Sequence, residues 1–319
     1  MIVARIVKDY DWPDIFRQTP GGRGLWDDIQ FTVDPAASCD VVIMFNNRMK
    51  TDTTVTCPRE NLWALMQEPY YPGLTDWMVE HHAPFARVFT HHLPSHDTRY
   101  VASHPANPWH VNRTYDQLMS AEPPVKSRPL SGIVGDAMDL PGHLKRKRFL
   151  EYIRRDHSLD LDLFGKKINF IEDKWDGLAP YRYSLAIENS CGPDYWTEKV
   201  ADCFLTWTVP FYCGCTNLEE YFPRESFIRI DIERPEESLE KIKQTIEEDN
   251  WERHIPALEE ARNLVLKRFQ IFPHLTDLIR SWAIPDGTGE ETRIPAYRRS
   301  AASAFNRAAY KFKKKLRLL

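Results

Sequence analysis

Residues 183–214, YSLAIENSCGPDYWTEKVADCFLTWTVPFYCG, decide the fold of the second half of the chain. Apolar and polar residues alternate over 181–189, and this alternation predicts a strand. Apolar positions then recur at helical spacing and predict a helix over about 195–207. A short apolar run at 209–214 predicts a second strand. A strand, a helix and a strand in this order are typical of a βαβ unit with parallel strands.

The same alternation of elements extends in both directions from this stretch. Further strands are predicted at 2–7, 41–45, 62–66, 86–90, 130–136, 160–165 and 226–231. Further helices are predicted at 142–156, 235–249, 251–269 and 275–283. Strands that alternate with helices of this length indicate an α/β fold with mostly parallel sheets.

A proline-rich segment of weak periodicity, 103–130, separates the two series of elements and is typical of a linker. We therefore expect two Rossmann-like domains that face each other across a cleft. The predicted boundaries are 1–125 for an N-terminal acceptor-binding domain, 126–285 for a C-terminal nucleotide-sugar-binding domain, and 286–319 for a basic tail. In such sheets, ligands bind outside the carboxyl ends of the strands.

Composition excludes several classes of protein. A net charge of −4 argues against general binding of nucleic acid, which requires a basic surplus. The six cysteines show no paired metal-site spacing and favour a reduced, cytosolic chain. No run of 18 apolar residues and no secretory leader is evident, so we expect a cytoplasmic protein, peripheral on the inner face of a membrane at most.

The predicted helix at 195–207 has two distinct faces. Asp194 is positioned to cap its N-terminus. One face is polar and carries Tyr195, Glu198, Lys199 and Asp202, whereas the other is apolar and carries Val200, Cys203, Phe204 and Trp207. A helix N-terminus attracts phosphate, and a lysine there adds charge for a diphosphate while a glutamate accepts from ribose hydroxyls. An ordinary amphipathic helix with a solvated charged face explains the same spacing equally well.

Four short motifs in this region occur together, in order: IENS (187–190), DYWTEK (194–199), VPFYCG (209–214) and FPRESFI (222–228). In this combination they resemble the C-terminal signature of glycosyltransferase family 10, the α-1,3/4-fucosyltransferases. The resemblance implies a GT-B fold, GDP-fucose as the donor, and inversion at the anomeric carbon. It departs from the family pattern at Ile187, where phenylalanine is usual, and in the residues that fill the gap before Asp194.

The resemblance also implies donor-binding residues. Asn189, Tyr195, Glu198 and Lys199 match positions at which the family contacts its donor. A family arginine that binds phosphate aligns with Arg146, which shares the inward face of its predicted helix with Phe149, Leu150 and Ile153. A forked guanidinium suits a pyrophosphate. Arg148 is the alternative assignment, and helical geometry favours Arg146.

A candidate base follows a predicted strand of the N-terminal half. An inverting transferase needs a group that takes the proton of the attacking hydroxyl, and a carboxylate on the opposite side from the leaving group can do so. Glu68 lies directly after the apolar strand at 62–66 and before Pro69. The family has a similar element, W-x-x-F-E-S-P, with the proposed base at its glutamate. By itself, a glutamate before a proline is an ordinary loop carboxylate.

Two metal-like patterns have simpler explanations. Asp160 and Asp162 alternate with leucines, as a strand with one solvent-exposed face requires. Similar residues occur in a strand of the family 10 enzymes. Seven histidines lie between 81 and 110, but Pro94 interrupts the one pair, His92 and His96, that has metal-ligand spacing. We therefore predict no metal site and no required cofactor beyond the donor itself.

The C-terminal segment 297–319 carries eight basic and no acidic residues, with Phe305, Phe312, Leu316 and Leu319 among apolar positions at helical spacing. A basic amphipathic helix of this kind can lie on an anionic membrane surface. A tail without a partner is the alternative.

The combined prediction is an inverting transferase that moves L-fucose from GDP-fucose to a hydroxyl of a glycan, of the surface polysaccharide or lipopolysaccharide type. Two alternatives stay open at this point. One is a GT-B transferase that uses a different nucleotide sugar. The other is a non-enzymatic, membrane-surface interaction protein on a degenerate transferase scaffold.

Overall fold

The computed structural model describes residues 1–35, 38–284 and 287–316, and the chain forms two compact units. The first unit combines Met1–Asn107 with Ile271–Leu319, and the second unit is Pro108–Gln270. The strands are β1 (Ile2–Val7), β2 (Leu25–Trp26), β3 (Ile29–Thr32), β4 (Val41–Phe45), β5 (Thr53–Cys57), β6 (Leu62–Leu65), β7 (Arg87–Thr90), β8 (Tyr100–Ala102), β9 (Arg128–Ile133), β10 (Leu161–Phe164), β11 (Tyr181–Gly192), β12 (Val209–Cys215), β13 (Ile228–Arg229) and β14 (Glu290–Ile294). The α-helices are α1 (Tyr115–Met119), α2 (Pro141–Ile153), α3 (Glu198–Leu205), α4 (Pro235–Glu248), α5 (Ile255–Leu264), α6 (Ile271–Trp282) and α7 (Ala301–Lys315).

The first unit is built on a seven-stranded sheet of order β2-β3-β1-β4-β6-β7-β8. All neighbouring strands are parallel except β2 and β3. The short β14 pairs with β5 in a separate antiparallel ribbon. The central strands are buried on both faces, as the continuous run VVIMF in β4 requires, because strands covered on both sides carry no polar alternation.

Helix α6 belongs to the first unit, although it follows the whole second unit in sequence. Ile271, Phe272, Leu275 and Ile279 recur at helical spacing and are fully buried in the same apolar core as Ile43 of β4. Their burial is why the chain returns to the first unit at residue 271. The predicted boundaries at 125/126 and 285/286 therefore differ from the observed ones, which fall at 107/108 and 270/271.

The second unit has a five-stranded, fully parallel sheet of order β10-β9-β11-β12-β13. The chain begins in the interior at β9, moves outward to β10, and then returns to the other side of β9 at β11. This is the doubly wound order in which the strand sequence reverses between the first and third strands. The reversal opens a crevice at the carboxyl ends of β9 and β11, where ligands bind in folds of this type.

The predicted elements agree with the observed ones to within a few residues in both units, and the largest shift lies at the start of α6, which begins at Ile271 instead of 275. The predicted helix at 251–269 consists of a 3₁₀ turn, α5 and a π-helical turn, Val265–Phe269. The predicted linker at 103–130 contains α1, whose cap Thr114 and third residue Gln117 exchange hydrogen bonds. Within the described ranges, no helix is both long and apolar enough to span a bilayer.

Candidate active site

The five predicted donor-binding residues all lie in the second unit, around the carboxyl ends of β9 and β11. Asn189 is near the end of β11, and Arg146 is in α2, the helix that follows β9. Tyr195 precedes α3, and Glu198 and Lys199 form its first turn. The structure thus brings these residues to the topological switch point of the sheet. The predicted base, Glu68, is in the first unit.

Helix α3 begins three residues later than predicted. Its N-cap is Thr197, whose hydroxyl accepts from the Lys199 amide at 3.4 Å. The predicted cap, Asp194, instead has a left-handed backbone, with φ of 59°. Its carboxylate accepts from the Asn217 side-chain NH₂ group at 2.9 Å and from the Tyr221 hydroxyl at 2.7 Å. These two side chains occupy the Asp194 carboxylate and hold the residue in the turn before the helix.

A buried carboxylate organises the start of α3. Glu188, in β11, accepts from the Thr197 amide at 2.8 Å and from the Thr197 hydroxyl at 2.7 Å. The same carboxylate lies 3.2 Å from the Lys199 ammonium, and its side chain has no exposed surface. Burial raises the pKa of Glu188, an effect that the Lys199 charge opposes. Glu188 therefore fixes both the cap and the lysine of α3.

Lys199 is held at the centre of a cluster of charges. Its ammonium lies 3.2 Å from the Glu198 carboxylate, at the same distance from Glu188, and 3.0 Å from the Thr197 hydroxyl. Burial disfavours the charged form, but the two carboxylates outweigh it and raise the pKa of Lys199. Lys199 is therefore a permanent cation at neutral pH, in a place where a free ammonium would be costly.

The other side of α3 is tied to the start of the second unit. Asp202 accepts from the His110 amide at 2.8 Å and from the Lys174 ammonium at 3.0 Å. Lys174 also lies 3.8 Å from Glu198. Burial alone would raise the pKa of Glu198, but Lys199, His110 and Lys174 hold it well below its usual value. The polar face of the helix is thus a buried ion network, which excludes the alternative of a solvated charged face.

His110 borders this network without adding a charge at neutral pH. Its ring lies 3.9 Å from Glu198. Burial and the nearby Lys174 lower the pKa of His110 to about 4, although Glu198 and Asp202 oppose the shift. An uncharged imidazole beside a carboxylate can position that carboxylate by its dipole, and it leaves the cations of the cluster free of further repulsion.

Arg146 faces inward, as helical geometry predicts, and Arg148 is exposed. The Arg146 guanidinium donates to the Asn189 side-chain oxygen at 3.0 Å and to the Ile187 carbonyl at 3.3 Å. Burial lowers the pKa of Arg146 against the opposing pull of Glu188 and Glu198, but it remains protonated at neutral pH. A second fixed cation thus shares the crevice with Lys199.

Two glycines let the backbone come close around these residues. A Cβ at Gly142, in the first turn of α2, would lie 1.7 Å from the Asn189 carbonyl oxygen. A Cβ at Gly214, in β12, would lie 2.4 Å from the Glu188 Cγ atom. Helix α2 and strand β12 therefore press against the backbone and side chains of β11, so the ends of the strands have little freedom to shift.

A cavity of about 270 Å³ lies beside Arg146. Its walls combine the loop after β9, one face of α2 and the loop after β10, with Val134, Met138, Leu150, Leu163 and Ile168 as apolar lining and Arg146, Lys147 and Lys167 as basic lining. Mostly apolar walls with a few placed polar groups are typical of small-molecule sites. The cavity opens at the same carboxyl edge as Asn189.

In the first unit, Glu68 is half-buried and follows the carboxyl end of β6 by three residues. The preceding residue, Gln67, is fixed by its neighbours: its amide donates to the Asn46 side chain at 2.8 Å, and its side chain reaches the Ala106 carbonyl at 3.4 Å. Glu68 therefore emerges from a restrained segment at the edge of the sheet where ligands bind in this class of fold.

Side chains from both metal-like patterns contact other groups of the protein. Asp162 accepts from Arg128 at 2.6 Å and from the Tyr181 hydroxyl at 2.7 Å. His92 stacks on Tyr70, with ring centroids 4.4 Å apart. Over the residues that the structure describes, no three His, Cys, Asp or Glu side chains are grouped as a metal site would need.

Comparison with known proteins identifies this region. Residues 138–253 match the model of "Glycosyltransferase family 10 (fucosyltransferase) C-term". This segment of the chain is similar to the C-terminal domain of that family. The predicted resemblance is thereby confirmed, and the match covers the five predicted donor-binding residues, whose individual roles remain predictions.

The curated relatives of this chain are consistent with the match to the family 10 model. The Helicobacter pylori protein "Alpha-(1,3)-fucosyltransferase FucT" is 31% identical over 74 residues, which cover 23% of this chain and 16% of that protein. The Homo sapiens protein "4-galactosyl-N-acetylglucosaminide 3-alpha-L-fucosyltransferase FUT6" is 27% identical over 136 residues, which cover 41% of this chain and 37% of that protein. The matches thus span less than two fifths of the relatives' length.

A solved structure extends the likeness to the fold. The crystal structure of alpha1,3-fucosyltransferase with GDP superposes with a TM-score of 0.50 at 15% identity, over 82% of this chain and 82% of that chain. At this identity the likeness concerns the fold alone. The predicted α/β fold of GT-B type, with two Rossmann-like units, is confirmed.

Sequence reasoning missed the residues that hold the start of α3 in place. Glu188, Lys174 and His110 are absent from the prediction, and Asp202 entered it only as a member of a polar face. A signal for Glu188 existed, because a carboxylate near the end of an otherwise apolar strand requires a partner. Lys174 and His110 left no comparable signal, since one begins a short 3₁₀ turn and the other lies in a loop, both far from α3 in sequence.

The Thr197 hydroxyl links the cap, Glu188 and Lys199, and its removal has a defined cost. We expect Thr197→Val to lower the free energy of unfolding by about 1–2 kcal/mol, because the α3 cap is lost and a buried carboxylate loses a donor. Thr197→Ser keeps the hydroxyl and should cost less than about half as much. Urea denaturation followed by circular dichroism compares the two variants, and equal losses would contradict this role of the hydroxyl.

Proposed function

We propose that this protein is an inverting glycosyltransferase that moves L-fucose from GDP-fucose to a hydroxyl of a glycan acceptor. The observation that carries the proposal is the pair of fixed cations, Arg146 and Lys199, at the switch point of a sheet within a family 10 domain. Two converging cations at a strand crevice suit a diphosphate. The relatives described above are named as fucosyltransferases, which supports fucose as the transferred sugar.

In this proposal the second unit binds the donor. Arg146 and Lys199 neutralise the diphosphate as it departs, so the chemistry requires no metal ion and no further cofactor. Asn189 and Tyr195 contact the ribose and sugar, and Glu198 accepts from hydroxyl groups because its low pKa keeps it ionised. The cavity beside Arg146 adds an apolar surface next to these polar groups.

The first unit supplies the base. Glu68 takes the proton from the acceptor hydroxyl while that oxygen attacks the anomeric carbon on the side opposite the diphosphate. Such an in-line displacement inverts the configuration of the sugar. A nearby carboxylate also stabilises the positive charge that develops on the sugar ring in the transition state.

A donor screen tests the proposed substrate. Calorimetry with GDP-fucose, GDP-mannose and UDP-sugars ranks the donors, and release of the free nucleoside diphosphate in the presence of glycan acceptors measures turnover. We expect GDP-fucose to bind most tightly and to be consumed. Tighter binding of a UDP-sugar would show instead that the family 10 domain uses another nucleotide sugar.

Loss of the Lys199 charge should abolish most of the transfer. For Lys199→Ala we expect a drop in kcat/KM on the order of 100-fold, because the departing diphosphate loses a buried cation. The far-ultraviolet spectrum should be retained. Lys267→Ala, at an exposed lysine of the second unit away from this cavity, is the control and should stay within about twofold of the wild type. Unchanged turnover of Lys199→Ala would remove Lys199 from the donor site.

Removal of the Glu68 charge should separate chemistry from donor binding. We expect Glu68→Gln to lower kcat by about 10²–10⁴-fold, the usual contribution of a general base. The GDP affinity should not change, because Glu68 contacts the acceptor in this proposal. Glu60→Gln, at an exposed carboxylate before β6, serves as the control. A loss of GDP affinity equal to the loss of kcat would argue against a base.

We further propose that α7 brings the enzyme to the inner face of an anionic membrane, where acceptors of the surface polysaccharide or lipopolysaccharide type are built. Phe305, Phe312 and Leu316 recur on one side of the helix and are 74%, 63% and 51% exposed. Lys313 and Lys315 flank that side, about 100° to one side of Phe312 and about 60° to the other at 100° per residue. The opposite side is anchored to the first unit, where the Ser303 and Ser300 hydroxyls donate to Asp76 and Glu80. An outward apolar stripe edged by lysines suits an anionic interface. The tail residues 317–319 lie outside the described ranges.

Sedimentation with lipid vesicles tests this surface. The wild type should bind vesicles that contain phosphatidylglycerol, and binding should weaken as salt is raised. We expect F305S/F312S to bind at least about tenfold less, because two apolar anchors are lost. Ala302→Ser, at another exposed site of α7, should bind like the wild type. Equal binding to vesicles of phosphatidylcholine alone would contradict the role of the lysines.

A further inference from the structure

Two cysteines lie together at the ends of β11 and β12, the strands that precede and follow α3 in sequence. The Cys191 and Cys213 sulfur atoms are 3.9 Å apart, on the neighbouring strands β11 and β12. Cys191 is exposed and Cys213 is buried beneath it. Sulfur atoms at this separation must approach by only about 2 Å to reach the length of a disulfide, about 2.05 Å. The donor-binding proposal makes no use of either thiol.

We propose that Cys191 and Cys213 form a reversible disulfide, a redox-modification site that reduces the affinity of the second unit for its donor. The effect on donor affinity rests on the proposed function, whereas the formation of the disulfide does not. Cys191 is the sulfur that an oxidant can reach, and Cys213 is the resolving partner already in contact with it.

The electrostatics of the pair favour this division of roles. The hydrogen bond from Cys213 and the charge of Lys145 lower the pKa of Cys191 to about 7, although burial opposes the shift. The same hydrogen bond and burial raise the pKa of Cys213. Cys191 is therefore partly ionised at neutral pH, and a thiolate is the reactive form of cysteine.

The reaction is a thiol–disulfide exchange with a low-molecular-weight disulfide as the oxidant. The Cys191 thiolate attacks one sulfur of the oxidant, breaks its S–S bond and releases one small thiolate, which takes a proton from water. Cys213 then loses its proton to water and attacks the Cys191 sulfur, and the second small thiolate leaves. The two cysteines lose two electrons in total, and the oxidant is reduced to two thiols.

The new bond would act on the proposed donor-binding residues at the start of α3. Cys213 precedes Gly214, which packs so closely on Glu188 that a Cβ there would lie 2.4 Å from the Glu188 Cγ atom. Because the β12 backbone lies this close to the Glu188 side chain, drawing the ends of β11 and β12 together would push on Glu188. Glu188 holds Thr197 and Lys199, so the displacement reaches the first turn of α3.

Peptide mapping under non-reducing conditions tests the disulfide. After incubation of the full chain with oxidised glutathione, trypsin should release residues 183–199 joined to residues 200–224, two hydrogens lighter than the two peptides together. Cys191→Ser and Cys213→Ser should abolish this species. Cys215→Ser and Cys203→Ser, which alter the other cysteines of the second peptide, should retain it. Absence of the joined peptides, or their persistence in Cys213→Ser, overturns the proposal.

Calorimetry with GDP measures the consequence for the donor site. The oxidised wild type should bind GDP at least about tenfold more weakly than the reduced protein, dithiothreitol should restore binding, and Cys191→Ser should not respond to the oxidant. A quantitative disulfide that leaves GDP affinity unchanged overturns the regulatory part of the proposal.

Hydrogen exchange separates this outcome from failure of the proposed function. Oxidation should increase amide exchange over residues 194–205 in the absence of any nucleotide, because Glu188 no longer holds the cap of α3. If the reduced protein does not bind GDP, the proposed function fails, and the peptide map together with hydrogen exchange still decides the redox site. Unchanged exchange in the cross-linked protein would count against it.

Discussion

The buried carboxylate of Glu188 is the constraint on which the candidate site depends. It accepts from the amide and hydroxyl of Thr197 and lies against the Lys199 ammonium, so one side chain fixes where α3 begins and where its cation lies. A buried carboxylate without such partners would cost several kcal/mol, and a buried ammonium would cost as much. Each ion therefore offsets part of the cost of burying the other, and the chain's own carboxylates hold the Lys199 ammonium in place.

This mutual dependence explains which parts of the site the sequence could predict. Arg146 was predictable because it shares helical spacing with Phe149 and Leu150, and periodicity is a local property. The four motifs located the segment around α3 for the same reason. The start of α3 was not predictable to the residue, because Asp194 and Thr197 are both good caps. The choice between them depends on Asn217 and Tyr221, which occupy Asp194 from positions more than twenty residues away.

The fold shows the same division between local and distant information. Strands such as β1 and β4 are set by short apolar runs and were predicted to the residue. The unit boundaries depend on where α6 packs, and its apolar face does not specify which of two apolar cores will cover it. A proline-rich segment also suggested a single crossing between the units, whereas the chain crosses twice, at 107/108 and at 270/271. Sequence pattern therefore predicted the elements better than their grouping.

The two crossings have a consequence for biosynthesis. The second unit is continuous in sequence, so all its strands have left the ribosome before α6 is complete. The first unit must wait, since Phe272, Leu275 and Ile279 fill the core of a sheet whose last strand was translated more than 160 residues earlier. During that interval the early sheet presents an uncovered apolar face, and unfilled cores of nascent chains are where chaperones bind. The later-made unit is thus expected to mature first, and the N-terminal half is the one that needs protection during synthesis.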